Sequence, residues 1–312
     1  MRNAFADELT TIAERDERIV FLSGDIGNRL FDKFKARFPK RFYNCGVAEQ
    51  NMMGMAAGLA MCGLRPIVYT ITPFTTTRCL EQIRVDVCYH HVPVVIAGVG
   101  AGLCYAELGA THHACEDIAF LRVLPHMTVV CPGDPWEVRA ALDRAVRHDG
   151  PVYLRMGKKG EPNVHAARPD LELGRALTIA PGDDVALLST GTPLPTTVRV
   201  GEMLRARGIA ARVVSFHTVK PLDEALLTEV FDTCAVVTTI EEHSVLGGLG
   251  GAVAEWLSDR SPRKARLLRL GTGDEFLHVA ADEEYARHHF GLDADGMTER
   301  IAAAFDTASR RA

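Results

Sequence analysis

Short apolar runs and longer amphipathic stretches alternate along the chain, and that alternation predicts strands and helices layered in turn. Residues 18–23 (RIVFLS) form a continuous apolar run ending on Gly24-Asp25, the pattern of a strand buried on both faces. Residues 66–71 (PIVYTI), 92–98 (VPVVIAG), 127–131 (MTVVC) and 152–155 (VYLR) repeat it, and the last is expected to close the unit. Residues 51–62 (NMMGMAAGLAMC) carry small or apolar side chains on nearly every face. They predict a buried helix in which Gly54 and Gly58 admit another backbone. Residues 75–88 and 135–147 read as helices, with Pro135 suited to a first turn. The connections are too long for hairpins, so the strands are expected to run parallel.

Residues 158–170 (KKGEPNVHAARPD) break the pattern with charge, glycine and proline, and are expected to be a linker. The alternation then resumes. Strands are expected at 184–189, 211–215, 235–241 and 267–270, and helices at 195–207 and 223–231. A glycine turn should open a further helix over 247–258. The expected fold class is α/β, with two parallel- or mixed-sheet domains over residues 1–165 and 166–312.

Composition narrows the function. At 312 residues the chain suits two domains, and 47% hydrophobic with 24% charged residues excludes disorder as the dominant state. Thirty-five basic against 40 acidic residues leave a net charge of −5, which argues against a nucleic-acid binder. No run of about 18 uncharged apolar residues is present, so no membrane helix is expected. Acids in the first eight residues stand where a signal peptide needs an apolar run. The eight cysteines form no CxxC pair, which predicts free thiols in the reducing cytoplasm.

Several residues could carry chemistry. Glu49 falls at the first turn of the small-residue helix, after a strand-like 41–44 (RFYN). Acids favour helix N-termini for electrostatic reasons alone. A carboxyl entering a buried site is also pushed towards its protonated form, as a general acid requires. His112 and His113 lie in a loop (GATHHACED), where an imidazole is either solvated or an acid/base near working pH. Cys104 and Cys115 invite a zinc reading, but their spacing fits no standard site. Residues 98–102 (GVGAG) imitate a dinucleotide fingerprint without its third glycine or its helix. The glycines of 247–251 suit tight packing at least as well as an anion. Arg2, Arg78, Arg155, Lys158 and Lys159 are candidates to hold an anionic group.

Taken in order, residues 21–28 (FLSGDIGN), 46–51 (GVAEQN), 65–68 (RPIV), Thr111-His112, 220–223 (KPLD) and 241–251 (EEHSVLGGLGG) form a longer pattern. It resembles the C-terminal half of transketolase and of 1-deoxy-D-xylulose-5-phosphate synthase over nearly the whole chain. The resemblance implies a pyrimidine-binding domain followed by a transketolase C-terminal domain. It implies that Glu49 hydrogen-bonds the aminopyrimidine ring of thiamine diphosphate and promotes loss of the thiazolium C2 proton. It places Phe74 and Ile71 in the wall of the pyrimidine pocket and Asp25 near the thiazolium. His112 falls on a histidine that contacts substrate oxygen, and Arg78 and Lys158 fall near positions that hold a sugar phosphate.

The Gly-Asp-Gly motif by which the family holds the diphosphate and Mg²⁺ is not in this sequence. The resemblance therefore implies one subunit of a split transketolase, with a partner of the N-terminal type supplying that site in an α2β2 assembly. Leu108 stands where the family often has an aspartate that binds a substrate hydroxyl, and Gly100 where many transketolases have a further histidine. The synthase also lacks that histidine, but an apolar Leu108 cannot accept the hydrogen bond, so a donor or acceptor other than the common pentose phosphates is expected. The expected activity is transfer of a two-carbon ketol unit from a ketose, expected to be phosphorylated, to an aldehyde. Acyloin formation after decarboxylation of a 2-oxo acid is one alternative; a scaffold of the same fold without chemistry is another.

Overall fold

The computed structural model describes residues 1–27, 29–260 and 263–310. Asn28, the last residue of the 21–28 motif, lies outside them. The first half runs α1 (Arg2–Arg15), β1 (Ile19–Ser23), α2 (Asp32–Arg37), β2 (Phe42–Asn44), α3 (Glu49–Met61) and β3 (Arg65–Ile71). A winding segment follows, with α4 (Thr72–Thr75), a 3₁₀ turn, α5 (Leu80–Gln82) and a π-helical stretch Ile83–Tyr89. Then come β4 (Val95–Val99), α6 (Asp117–Arg122), β5 (Thr128–Val130), α7 (Pro135–Arg147) and β6 (Val152–Met156). The second half contains β7 (Leu177–Ala180), β8 (Val185–Thr190), α8 (Leu194–Ala206), β9 (Ala211–Ser215), β10 (Thr218–Lys220) and α9 (Glu224–Thr233). It ends with β11 (Val236–Ser244), α10 (Leu249–Ser258), β12 (Arg266–Thr272), α11 (Glu283–His289) and α12 (Ala294–Ser309).

These elements build two mixed sheets. The first has strand order β10-β5-β6-β4-β3-β1-β2, and the second β12-β11-β8-β9-β7. Pairing is parallel throughout except at the edges, where β10 runs antiparallel to β5 and β7 antiparallel to β9. Helix starts follow the local chemistry. Asp134, Asp223 and Asp293 accept from Glu137 N, Leu226 N and Gly296 N, satisfying amides that the first turns of α7, α9 and α12 leave unpaired.

One apolar core reaches across both sheets, from Leu22, Val68 and Ile96 to Leu188, Val214 and Trp256. On the opposite face of the first sheet, Phe5, Phe21, Phe31 and Tyr69 pack ring against ring at centroid separations of 4.5–6.3 Å.

Three expectations need correction. The first sheet does not close at β6, because β10 crosses from the second half and pairs Thr218 with Val130. Three residues leave too little periodicity for such an edge strand to be read from sequence. The stretch between β6 and β7 lacks helix and strand, as a linker should, but it is pinned. Val164 N and His165 N both donate to Asp134 Oδ2 at 2.8 Å, and Arg168 pairs with Glu8 at 3.0 Å. Helix α3 is buried on one face only. Met52, Met53, Ala56 and Ala57 enter the core, whereas Gln50, Asn51, Met55, Gly58 and Met61 are exposed. A Cβ on Gly58 would meet nothing within 4 Å, so within this chain no backbone approaches there.

Candidate active site

Parallel α/β sheets place ligands beyond the carboxyl ends of their strands, and the sequence candidates gather at that end of the first sheet. Gly24 and Asp25 follow β1, Ile71 ends β3, the loop bearing His112 follows β4, and Lys158 follows β6. Glu49 opens α3 and is 3% exposed. A Cβ on Gly24 would lie 3.0 Å from Thr70 Cβ and 3.4 Å from Glu49 Cγ, so this carboxylate runs tight beneath the end of β1. Thr70 Oγ1, 3.1 Å from that Cβ position on Gly24, is buried without a hydrogen-bond partner, as are Thr75 Oγ1 on α4 and Gln82 Oε1 on α5. Buried polar atoms are nearly always paired, so these are donors and acceptors in waiting.

Glu49 is not alone. Arg78 Nη1 donates to its Oε1 at 2.9 Å, and the Arg78 side chain is 42% exposed. The same guanidinium lies 4.1 Å from the centroid of the Phe74 ring. The Phe74 ring meets that of His112 edge-on at 5.2 Å, and Thr111 Oγ1 lies 2.9 Å from His112 Nδ1. Glu49, Arg78, Phe74 and His112 thus form one continuous line. In this state Arg78 is committed to Glu49 and Phe74 rather than held ready for an anion.

Ile71 and Phe74 are half-buried. Asp25 is exposed, has a left-handed φ of 57°, and accepts from Asn44 Nδ2 at 2.8 Å. Lys158 forms an ion pair with Glu107 and sits 4.5 Å from the Tyr105 ring. Tyr105 is the residue that sequence reasoning missed. Its ring lies 6.2 Å from His112, and a Cβ on Gly100 would fall 1.9 Å from Tyr105 Cε2. The space that a side chain at position 100 would take is therefore filled by an aromatic ring five residues on. No local pattern announces this, because the contact depends on how the loop closes. Leu108 is exposed at the end of a 3₁₀ turn.

Two other candidates turn out to be structural. His113 is buried and within 3.4 Å of Ala106 O, and burial lowers its pKa. Arg155 is 1% exposed and is no anion anchor. Its Nε and Nη2 bond Asp117 at 2.7 and 3.2 Å, and Nη2 also donates to the carbonyls of Ala114 and Glu242. Burial pushes the Asp117 carboxyl up, but the Arg155 charge outweighs it and the net shift is downward.

Beside this pair, burial drives His243 down to about 4. Its Nε2 accepts from Ala119 N and its Nδ1–H donates to Ser244 O, so the ring is held neutral. Above its ordinary value of 6.5 the ring is neutral whether the chain is folded or not. As pH falls from 6.5 to about 4, the unfolded chain takes up a proton that the folded one refuses, and stability drops by about 3 kcal/mol. His243→Asn should therefore gain about 3 kcal/mol relative to the unsubstituted chain between pH 7 and pH 4, read from urea unfolding at each pH. An unchanged difference across that range would refute a neutral buried ring.

Comparison with known proteins identifies the family of each half of the chain. Residues 1–162 match the family described as "Transketolase, pyrimidine binding domain", and residues 174–297 match "Transketolase, C-terminal domain". One of the subunits of the apulose-4-phosphate transketolase of Phocaeicola vulgatus is 37% identical over 95% of this chain and 94% of its own. The 6-deoxy-6-sulfo-D-fructose transketolase subunit of Clostridium sp. (strain MSTE9) is 36% identical over 100% of this chain and 95% of its own. Among solved structures, a split-gene transketolase described as an inactive β4 tetramer superposes with a TM-score of 0.89 at 37% identity. That match covers 98% of this chain and 97% of the other.

Proposed function

This chain belongs to the transketolase family, and from that premise we propose that it is one subunit of a split, thiamine-diphosphate-dependent transketolase. The reaction is transfer of a two-carbon ketol unit from a ketose to an aldehyde. The observation that carries this reading is the buried Glu49 carboxylate at the start of α3, joined through Arg78 to the Phe74 ring and lying with the unpaired Thr70 hydroxyl against Gly24. That set suits a flat heteroaromatic ring with exchangeable protons. It does not suit a diphosphate with its metal ion. Among the described residues the one tight group of three metal donors is Cys104, Glu242 and Glu283, a different cluster. We assign the diphosphate and Mg²⁺ to the partner subunit, as the resemblance to the family implies.

When bound, thiamine diphosphate supplies the nucleophilic carbon and the electron sink for C–C bond cleavage. Buried Glu49 would share a proton with the pyrimidine ring. Phe74 and Ile71 would pack against that ring, and Asp25 would lie near the thiazolium. For Glu49 to reach the ring, Arg78 leaves it. Arg78 is half-exposed and so is free to swing to the mouth, where with Lys158 it holds an anionic tail of the substrate. His112 moves protons at the substrate oxygens.

The partner would cover the exposed apolar surface along α3 and the neighbouring π-helical stretch. Val47 is 76% exposed, and Met55 and Met61 on α3 stand beside Val85 and Tyr89 of the π-helical stretch. Exposed apolar surface of this kind marks an interface, and the small residues Gly54 and Gly58 suit close helix packing. Gly58→Arg should weaken association with the partner at least about tenfold and leave the melting temperature of the free chain unchanged. Equal affinity of the two forms, measured by calorimetry, would move the interface elsewhere. Eight unpaired thiols suit the reducing cytoplasm, where we place the assembly. Among the described residues no helix is long and apolar enough to cross a membrane.

The test is gentle purification from the native host with Mg²⁺ present. We expect bound thiamine diphosphate and a stoichiometric second chain. A solitary, cofactor-free chain from cells that express a diphosphate-binding partner would favour the scaffold instead.

A further inference from the structure

The loop that carries His112 leaves β4 at Gly100 and returns at Asp117. Its limbs are tied together by Gly102 N to Ala114 O at 3.1 Å and Ala114 N to Gly102 O at 3.0 Å. Its base is gripped from the second half of the chain. Glu242, near the end of β11, accepts from Leu103 N through Oε2 at 3.2 Å. Two residues on, Ser244 N donates to Cys115 O at 2.7 Å. Gly102 has φ +59°, and a Cβ on it would lie 2.5 Å from Glu242 Cβ, so glycine is what lets the two strands of chain touch.

Glu242 is itself oriented. Arg287, on α11, donates from Nε to Glu242 Oε1 at 2.6 Å and from Nη2 to Glu283 Oε1 at 2.8 Å. Leu103, Ala106 and Cys115 pack with Leu277 and Ala286 beneath this network. The donor atoms of Cys104, Glu242 and Glu283 lie within 4.8 Å of one another, close enough for a metal ion. Arg287 already pairs with both carboxylates, so the place of a cation between them is taken by a side chain. Glu242 and Arg287 touch neither Glu49 nor Phe74, and no step of the reaction above uses them.

We propose that Glu242 and Arg287 are positioning residues, by which the C-terminal half of the chain sets His112 against the substrate through Leu103. The inference rests on the assignment of His112 to proton handling. A loop end displaced by an ångström loses reaction geometry long before it loses fold, and about a hundredfold in rate is the expected scale. The clamp gives the second domain a part in catalysis although it contributes no group to the pocket.

The test uses the complex reconstituted with the partner subunit, thiamine diphosphate and Mg²⁺. Glu242→Ala should lower kcat about 10–100-fold and leave cofactor affinity within about twofold. Glu242→Gln, which keeps an acceptor for Leu103 N, should recover most of that loss. In a His112→Ala background the Glu242→Ala change should cost less than about threefold, because the effect passes through His112. Hydrogen exchange on the free chain should show residues 100–116 losing protection in Glu242→Ala while β8 and β9 keep theirs. Equal losses in the two backgrounds, or full activity of Glu242→Ala, would overturn the proposal. Full activity of His112→Ala would count against the His112 assignment instead; the exchange data then judge the clamp, and unchanged protection of the loop would overturn it. If Glu242→Ala does not fold, Arg287→Lys is put through the same cycle with the same criteria.

Discussion

Glu49→Gln is expected to cut turnover of the assembled enzyme by about a thousandfold, the middle of the range for losing a positioned proton-transfer group. The change is isosteric, so the pocket keeps its shape. A glutamine can still accept a hydrogen bond, but it has no proton to share with a ring nitrogen. Stability should barely move, because the ion pair that is lost involves an Arg78 side chain 42% exposed to water. The melting temperature should stay within a few degrees while steady-state turnover collapses. Full activity of the variant in a verified complex would remove Glu49 from the mechanism. A collapse of both would mean that the carboxylate acts on the fold.

Asp117→Asn should behave in the opposite way. It leaves the Arg155 guanidinium buried without a counter-charge, and breaking such a pair costs about 3–5 kcal/mol. The loss should spread, because Arg155 also holds the carbonyls of Ala114 and Glu242 and so joins the two halves of the chain. Tyr153 adds a further hydrogen bond from its hydroxyl to Asp117 Oδ2 at 2.5 Å. The urea midpoint of the free chain reports the effect. A shift of less than about 1 kcal/mol would mean that Arg155 finds another partner. Had Arg155 been an anion anchor, as its place at a strand end suggests, its pairing with Asp117 would be dispensable for folding.

The layered α/β pattern was legible in the sequence because buried parallel strands read as unbroken apolar runs. Residues 18–23, 92–98 and 235–241 each overlap a strand of the structure, although β4 runs on to Val99 and β11 to Ser244. The placement of Glu49 at a helix start was legible for the same reason, since a strand-like run gives way to a helical period just before it. The orientation of α3 was not. Its exposed face also carries Met55 and Met61, so periodicity could not say which side meets the core and which is left for another chain. Long-range contacts were also hidden. The filling of the Gly100 space by Tyr105, the seat of Arg78 on Glu49, and the grip of Glu242 on Leu103 depend on loop closure. Arg155 misled because strand-end basic residues look alike until a buried carboxylate is found beside one of them.

The central claim is that this chain holds the proton-transfer half of an active site that its partner completes. The most direct measurement is ketol transfer assayed for this chain alone, for the partner alone and for the two mixed, with thiamine diphosphate and Mg²⁺ in every tube. Activity should appear only on mixing, saturate at one copy of this chain per partner, and fall about a thousandfold when Glu49→Gln replaces the unsubstituted chain. Turnover by either chain alone, or a fully active mixture containing Glu49→Gln, would contradict the account.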